Sequence, residues 1–538
     1  MRRWNGWGDE ATSMALGTAA RAMLAERLGP GHPTPDAPRE ALLARIPPPR
    51  LPGHPLIDRT PDARLAAAWG ESYADWIRKR LGHLPPVPDG VAHPASDEEV
   101  RALLDLAHAR RWGVIPVGGA TSVAGHLDCP LGERPVLAIA LTRLNRLVHL
   151  DTASQLATFG AGTPGPLVEA QLRAHGYTLG HFPQSFEYST VGGWVATRSS
   201  GQQSLRYGRI EQLFAGGRLQ TPVGTLVLPT FPAASAGPDL REIVLGSEGR
   251  LGILTEAVMR VTRLPAHERF HAFFLPDWER AETAARTLVQ QRLPLSMLRL
   301  SNAVETETNL RLAGHERAVA WLEKYLAWRG CGAGKCLLML GVSADPATAR
   351  HALRQARRWL ARHGGIHIGQ ALGRKWAANR FKGPYLRNTL WALGYSVDTI
   401  ETAVDWPRVT PLMQAMEQAA RDAFAPFGTP VHAFTHLSHL YPEGSSIYAQ
   451  YVWPTAEGGF EPNFARWRAL KAAVAEQIAA HGATVSHQHG VGRDHAAHLA
   501  QEKGLLGMAA LAQLCAQFDP HGIMNPGKLL QDGGPWAD

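Results

Sequence analysis

Apolar positions change rhythm along this chain near residue 88. Before that point they recur at helical spacing, most clearly over residues 11–28, and a proline-rich joint at 46–55 interrupts them. Residues 1–87 therefore read as an N-terminal helical extension. Trp4 and Trp7 stand so close to the start that they are expected to dock on the rest of the protein. Beyond residue 88, short apolar runs alternate with amphipathic stretches. Ser96 and Glu99 predict a capped helix that stops at Gly113, with a strand at 114–117 behind it. Further strands are predicted at 136–141, 147–150, 157–159 and 251–261, and a helix at 166–175 ends at Gly176.

A second series begins after Pro265: a strand at 270–275, a helix to 291, a strand at 296–300, a long loop and helix region, a strand at 336–341 and a helix to 363. That order predicts a ferredoxin-like sheet with helices on one face. The chain is thus expected to be α+β, divided into 1–87, 88–267, a cap at 268–465 and a C-terminal segment at 466–538. No repeat of solenoid period and no long low-complexity tract occurs.

Composition narrows the classes without choosing one. The 538 residues are 45% hydrophobic and 19% charged, a globular balance. The 55 basic residues against 47 acidic ones leave a formal charge of +8, and only eight of the basic residues are lysine. Arginine suits phosphate or carboxylate ligands, but these arginines are scattered rather than gathered in a stripe, so nucleic acid is not an expected partner. None of the four cysteines forms a pair at two-residue spacing, which argues against zinc knuckles, iron–sulfur clusters and redox dithiols. No apolar run approaches the roughly 18 residues of a membrane span, and the Met1–Arg3 start is followed by acidic residues rather than an apolar core. A soluble protein of a reducing cytoplasm is expected.

Glycine-rich stretches carry the candidate chemistry. Gly160-Ala161-Gly162-Thr163-Pro164-Gly165 matches a dinucleotide fingerprint, yet lacks the acidic residue expected about 20 positions on, so it reads as a decoy. Residues 330–336 end in Gly-Lys but have the wrong spacing for a phosphate loop and cysteine where Ser or Thr is needed, so they read as a turn. A better cradle is Pro116, Val117, Gly118, Gly119, Ala120, Thr121 and Ser122, where glycines admit a pyrophosphate to backbone N–H groups and hydroxyls add donors. Two more segments of small and hydroxyl residues follow. One holds Gln184, Ser185, Ser189, Thr190, Gly192, Gly193, Thr197, Ser199, Ser200 and Gly201. The other holds Glu248, Leu251, Gly252 and Ile253. Such stretches suit loops around an elongated polar ligand.

In this order and spacing the three segments resemble the two-subdomain, p-cresol methylhydroxylase (PCMH)-type FAD-binding domain of the vanillyl-alcohol oxidase superfamily. The resemblance implies that the first two segments hold the pyrophosphate and flavin and the third the adenine or ribose side, under a cap that supplies the substrate site. No histidine stands in the glycine loop, which implies non-covalent FAD.

Over nearly the whole chain the resemblance is to the alkylglycerone-phosphate synthase (alkyldihydroxyacetonephosphate synthase) family. It rests on the runs from Arg3 to Gly8, Gly180-His181-Phe182-Pro183-Gln184-Ser185, Leu298-Arg299-Leu300, Tyr385-Leu386-Arg387, Ser438-His439-Leu440-Tyr441 with Tyr448, and Ser486-His487-Gln488-His489-Gly490. Such enzymes exchange the acyl chain of acyl-dihydroxyacetone phosphate for a fatty alcohol with no net redox change, the flavin N5 attacking the dihydroxyacetone carbon as the carboxylate leaves. The resemblance implies a homodimer, lipid substrates and a peripheral membrane contact, for which the N-terminal helices are candidates. The GC-rich composition suggests a bacterial cytoplasm.

On this chain a bidentate phosphate clamp falls to Arg387. Proton transfer falls to Tyr448, His487 and His489, with His181 on the flavin side and Arg299 as architectural support. His432, His436 and His439 have helical spacing, but the Thr and Ser around them read as a strand that turns His436 and His439 to opposite faces, and no metal is expected. One departure matters: the family carries three consecutive histidines where this chain has Gln488 in the middle, and glutamine cannot titrate. Two alternatives stay open: an FAD-linked enzyme oxidising a D-2-hydroxy acid such as D-lactate or glycolate, and a flavin-free binding protein on the same fold.

Overall fold

The computed structural model describes residues 1–314 and 316–531; positions 532–538 of the expected C-terminal segment lie outside the described residues. Three main sheets build the molecule. The first has the strand order Ile57–Asp58, Gly90–Ala92, Val136–Ala140, Gly113–Val117, with the last three parallel. Val136–Ala140 is buried along its whole length, as an unbroken apolar run in the middle of a parallel sheet requires. Helix Asp97–Arg110 is capped as expected, with Ser96 Oγ accepting from the Glu99 amide at 3.2 Å. The Glu99 carboxylate, however, accepts from the Ala95 amide rather than from Ser96. The helix closes on Arg111 in a left-handed conformation (φ 54°), and Gly113 opens the next strand instead of stopping the helix.

The second sheet is antiparallel, in the order Leu147–Asp151, Leu156–Gly160, Ile253–Arg260, Phe214–Thr221, Gly224–Leu228. The last two strands have no clear signal in the chain, because Gly216 and Gly217 break the apolar alternation. Their smallness is required: a Cβ at Gly216 would fall 2.4 Å from Leu228 O, and one at Gly217 2.4 Å from Glu256 O. The decoy glycines at 160 and 162 serve the same end, since added Cβ atoms would meet Leu144 O and Leu141 O. Residues 330–336 join helix Glu316–Trp328 to strand Cys336–Ala344 as a turn.

The third sheet has seven antiparallel strands, in the order Ile366–His367, His267–Leu275, Cys336–Ala344, Met297–Ser301, His432–Leu437, Gly444–Pro454, Tyr395–Asp405. Its first four form the ferredoxin-like order. Helices Trp278–Gln290 and Pro346–Arg362 cover one face through alanine stripes such as Ala281, Ala284 and Ala285. The one-face expectation is corrected. Phe270, Ala272 and Phe274 alternate to the other side, where helices Glu316–Trp328 and Ala371–Asn379 cover them. Three further strands also widen the sheet beyond the ferredoxin pattern.

The extension is less helical than expected. Its first helix is Thr18–Leu28; residues 9–11 form a bridge and turn and residues 12–17 are irregular, with Thr389 Oγ1 donating to Met14 O at 2.7 Å. Ile57–Asp58 joins the first sheet. Trp7 is docked as expected, buried edge-on against Tyr188 at 5.7 Å, with its backbone held at both ends by the Asn388 amide.

Candidate active site

A cavity of about 580 Å³ opens where the three sheets and the extension meet. The first glycine loop, from Pro116 to Val123, forms one wall. Gly119 is compulsory there, because a Cβ would lie 1.8 Å from Tyr188 O; at Gly118 it would lie 2.5 Å from Thr190 Oγ1. These glycines let the first and second loops touch backbone to backbone. Ala120 takes a left-handed conformation (φ 53°), the kind of position that favours glycine. The five backbone N–H groups from Gly119 to Val123 donate to no acceptor among the described residues, and all five residues are half-buried around the cavity. The hydroxyls of Thr190 and Ser200 are buried, line the same space and have no partner. Unfilled donors concentrated on one concave wall are what an anionic, elongated cofactor satisfies, so the residues present fit FAD.

Most of the expected cofactor residues line this cavity: Pro116 to Ser122, Gln184, Ser185, Ser189, Thr190, Gly192, Gly193, Thr197, Ser199, Ser200, Glu248, Gly252 and Ile253. Three do not. His181 lies behind the wall, its Nε2 2.8 Å from Ser199 Oγ, and burial holds its pKa down at about 3. Gly201 packs against the Phe182 amide, and Leu251 is in the core. The Glu248 carboxylate turns from the cavity to the amides of Val491 and Gly492 and to His126, so it ties the C-terminal segment to the flavin loops.

Opposite this wall, the cap and the C-terminal segment supply Arg299, Arg387, Tyr448, Gln488 and His489. Arg387 is built in three directions. Nη1 donates to Glu71 O at 2.7 Å, the guanidinium lies 4.3 Å over the Trp76 ring, and Nη2 is buried without a partner. The turn at 486–489 wraps the buried Glu401 carboxylate, which accepts from Ser486 Oγ at 2.8 Å and from the His487, Gln488 and His489 amides at 3.0 to 3.1 Å. Burial alone would raise the pKa of Glu401, but His489, His487 and these donors hold it well below the usual range.

His487 is corrected as a cavity residue. Its Nε2 is 2.6 Å from the Tyr441 hydroxyl and also meets Arg209 Nη1, so its ring points away. The opposite-face expectation for His436 and His439 is corrected too: strand His432–Leu437 ends before His439, and both rings reach the cavity. Tyr448 is pushed up to about 12 by burial and is therefore a phenol donor at neutral pH. Arg299 contacts Glu305 at 2.8 Å and His436 at 3.1 Å. Glu305, Glu401 and Arg209 have no signal in the sequence because no local motif marks a buried ion partner; Trp7, which also lines the cavity, was legible only as a docked residue, and Met14, beside it, carried no signal.

Comparison with known proteins agrees with this architecture. The FAD binding domain family matches residues 88–228, and FAD linked oxidases, C-terminal domain, matches residues 264–529. An alkyldihydroxyacetonephosphate synthase of Dictyostelium discoideum is 32% identical, over 87% of this chain and 77% of the relative. One of Trypanosoma brucei brucei is 29% identical, over 98% and 92%. A solved alkyldihydroxyacetonephosphate synthase structure superposes with a TM-score of 0.84 at 28% identity, covering 98% of both chains. FAD is the cofactor of such a chain. With a relative above 30% identity matched along most of both lengths, this chain belongs to the alkyldihydroxyacetonephosphate synthase family.

Proposed function

We propose that the protein is an FAD-dependent transferase of ether-lipid synthesis, which replaces the acyl group of acyl-dihydroxyacetone phosphate by a fatty alcohol. One observation carries the reading: a single cavity joins a cradle of unfilled backbone N–H groups to an arginine, Arg387, whose buried Nη2 has no partner. The flavin, when bound, supplies the nitrogen at which the three-carbon unit is held. The chain supplies the rest. The loops at 116–123, 184–201 and 248–254 hold FAD without a covalent link, Arg387 takes the phosphate of the substrate, and Tyr448 and His489 hydrogen-bond its reacting end. Met14, Leu312, Leu386, Leu390, Val397 and Phe434 line an apolar part of the cavity suited to the alkyl chain.

Gln488 keeps a hydrogen-bonding group at the middle of the 487–489 turn but removes a titrating one, so the proton must be carried by another side chain. As finer parts of the same proposal, the protein works as a homodimer in a bacterial cytoplasm and touches a membrane peripherally. No helix among the described residues is long and apolar enough to cross one. Light scattering and flotation with lipid vesicles test these parts.

The central test is anaerobic mixing of the purified yellow protein with acyl-dihydroxyacetone phosphate. Bleaching of the flavin without external reductant, together with an unchanged spectrum on adding D-lactate, is expected. The reverse pattern overturns the reading in favour of hydroxy-acid oxidation, and a protein that takes up no flavin excludes both enzymes.

A further inference from the structure

Glu305 is fully buried on helix Ala303–Leu312, yet one of its oxygens gathers three partners from three strands. Oε1 meets Arg299 Nη2 at 2.8 Å, Gln450 Nε2 at 3.0 Å and His436 Nδ1 at 2.8 Å. Burial raises the pKa of this carboxyl, but its neighbours His436 and Arg299 outweigh that and hold it down at about 2, so it is an acceptor only, while burial lowers the pKa of His436 itself and favours the neutral ring. His436 must then carry its ring proton on Nδ1. The 3.1 Å approach of Arg299 Nη2 to that nitrogen is two donors converging on one oxygen. Nε2 of His436 is left with a free lone pair and no partner among the described residues. Its ring lines the cavity and stacks on Tyr448 at 4.9 Å.

Among the described residues no other imidazole near the cavity is so arranged: His126 is engaged on both ring nitrogens, Nδ1 by Ser122 Oγ and Nε2 by the Glu248 carboxylate at 3.1 Å. His487 is held by Tyr441 and Arg209. His489 Nδ1 stands 3.7 Å from Glu401, whose oxygens already accept four donors, so nothing fixes its tautomer. The ring of His439 makes no hydrogen bond among the described residues, and residue 488 is a glutamine.

We propose that His436, oriented by Glu305, is the base that takes and returns the proton of the reacting carbon. This inference rests on the reading of the site as one for acyl-dihydroxyacetone phosphate. Nε2 takes the proton from the carbon between the ester oxygen and the ketone, and the electron pair of the broken C–H bond passes into the carbonyl as an enolate. The imidazolium so formed faces the Glu305 carboxylate. In the reverse transfer the electron pair returns to carbon with a proton from Nε2, which has meanwhile exchanged with solvent, and Nε2 recovers its lone pair. Glu305 acts through His436 and is a positioning residue.

The test follows exchange of the substrate C–H in deuterated water by NMR, beside alkyl transfer, with the FAD-loaded enzyme. His436→Ala is expected to lower both exchange and kcat by about 100-fold or more, the usual size of a general-base contribution. KM should stay within about threefold, the flavin spectrum should be retained, and added imidazole should restore at least about a tenth of the lost rate. Glu305→Gln should lower kcat about tenfold or more with KM unchanged. His436→Gln, which keeps the volume, serves if the alanine variant does not fold. Wild-type exchange in both His436 variants, or a loss that imidazole does not restore, overturns the assignment. A wild-type enzyme that neither exchanges the proton nor transfers alkyl overturns the substrate reading on which it rests.

Discussion

Replacing Arg387 with alanine removes a guanidinium whose surroundings have been assembled for one more hydrogen-bonding partner. Its Nη1 is anchored on Glu71 O at 2.7 Å and its plane rests on Trp76 at 4.3 Å, so the position of the free Nη2 is set before any ligand arrives. A hydrogen bond to a charged group contributes about 1.5–3 kcal/mol, and truncating one partner of a buried charged pair costs about 2–5 kcal/mol. One lost charge-assisted contact to a phosphate therefore weakens binding by about 2–4 kcal/mol, or roughly 30- to 900-fold at 1.36 kcal/mol per decade. Arg387→Lys keeps the charge but loses both the Glu71 anchor and the Trp76 stack, so most of that loss should remain. The assay is the apparent KM for acyl-dihydroxyacetone phosphate, with flavin absorbance as the control for folding and loading. A KM unchanged in Arg387→Ala, with FAD retained, would refute the clamp. An equal loss for a phosphate-free analogue would show that Arg387 holds the cavity wall instead.

Gly119→Ala should leave the protein short of flavin, because the new Cβ falls 1.8 Å from Tyr188 O and forces the two cradle loops apart; full flavin absorbance in the purified variant would contradict this. Ala120→Gly should raise stability by up to about 1 kcal/mol, since the left-handed φ of 53° costs alanine that much more than glycine, and a fall in Tm would count against the strain. Glu305 carries a linkage effect of known sign. Its folded pKa of about 2 lies below the unfolded value near 4.3, so its stabilisation is complete above the unfolded value and is lost as pH falls from there towards 2. The size is about 3 kcal/mol, and Glu305→Gln should flatten the pH dependence of urea unfolding over that window. An equally steep slope in the variant would place the acid sensitivity elsewhere, with the similarly depressed Glu401 as the next group to replace.

Residues that act through their own backbone were the legible ones. The run Gly118-Gly119-Ala120 and the hydroxyl-rich stretch at 184–201 announce a cradle because glycine and small polar side chains cannot build a core, and the structure brings nearly all of them to one wall. The ferredoxin-like half of the cap was legible for a similar reason: each helix and strand carries its own period. Strands Phe214–Thr221, Tyr395–Asp405 and Gly444–Pro454 were not, since glycines or polar residues facing the cavity interrupt their apolar alternation. His487 looked equivalent to His489, and only the placement of Tyr441 and Arg209 turns its ring away.

The chain by itself determined the flavin cradle, the alternation of strands and helices, and the docking of Trp7, all of which depend on local steric needs or on the burial of a single side chain. The tertiary structure alone decided which ionisable groups meet. Glu305 and His436 are 131 positions apart, and Glu401 and His487 are 86 apart. Their partnership depends on how helix Ala303–Leu312 and the 486–489 turn pack on strands of the seven-stranded sheet. Desolvation then makes each buried carboxylate dependent on the donors that the packed sheet, helix and turn place around it, and no spacing along the chain records that placement.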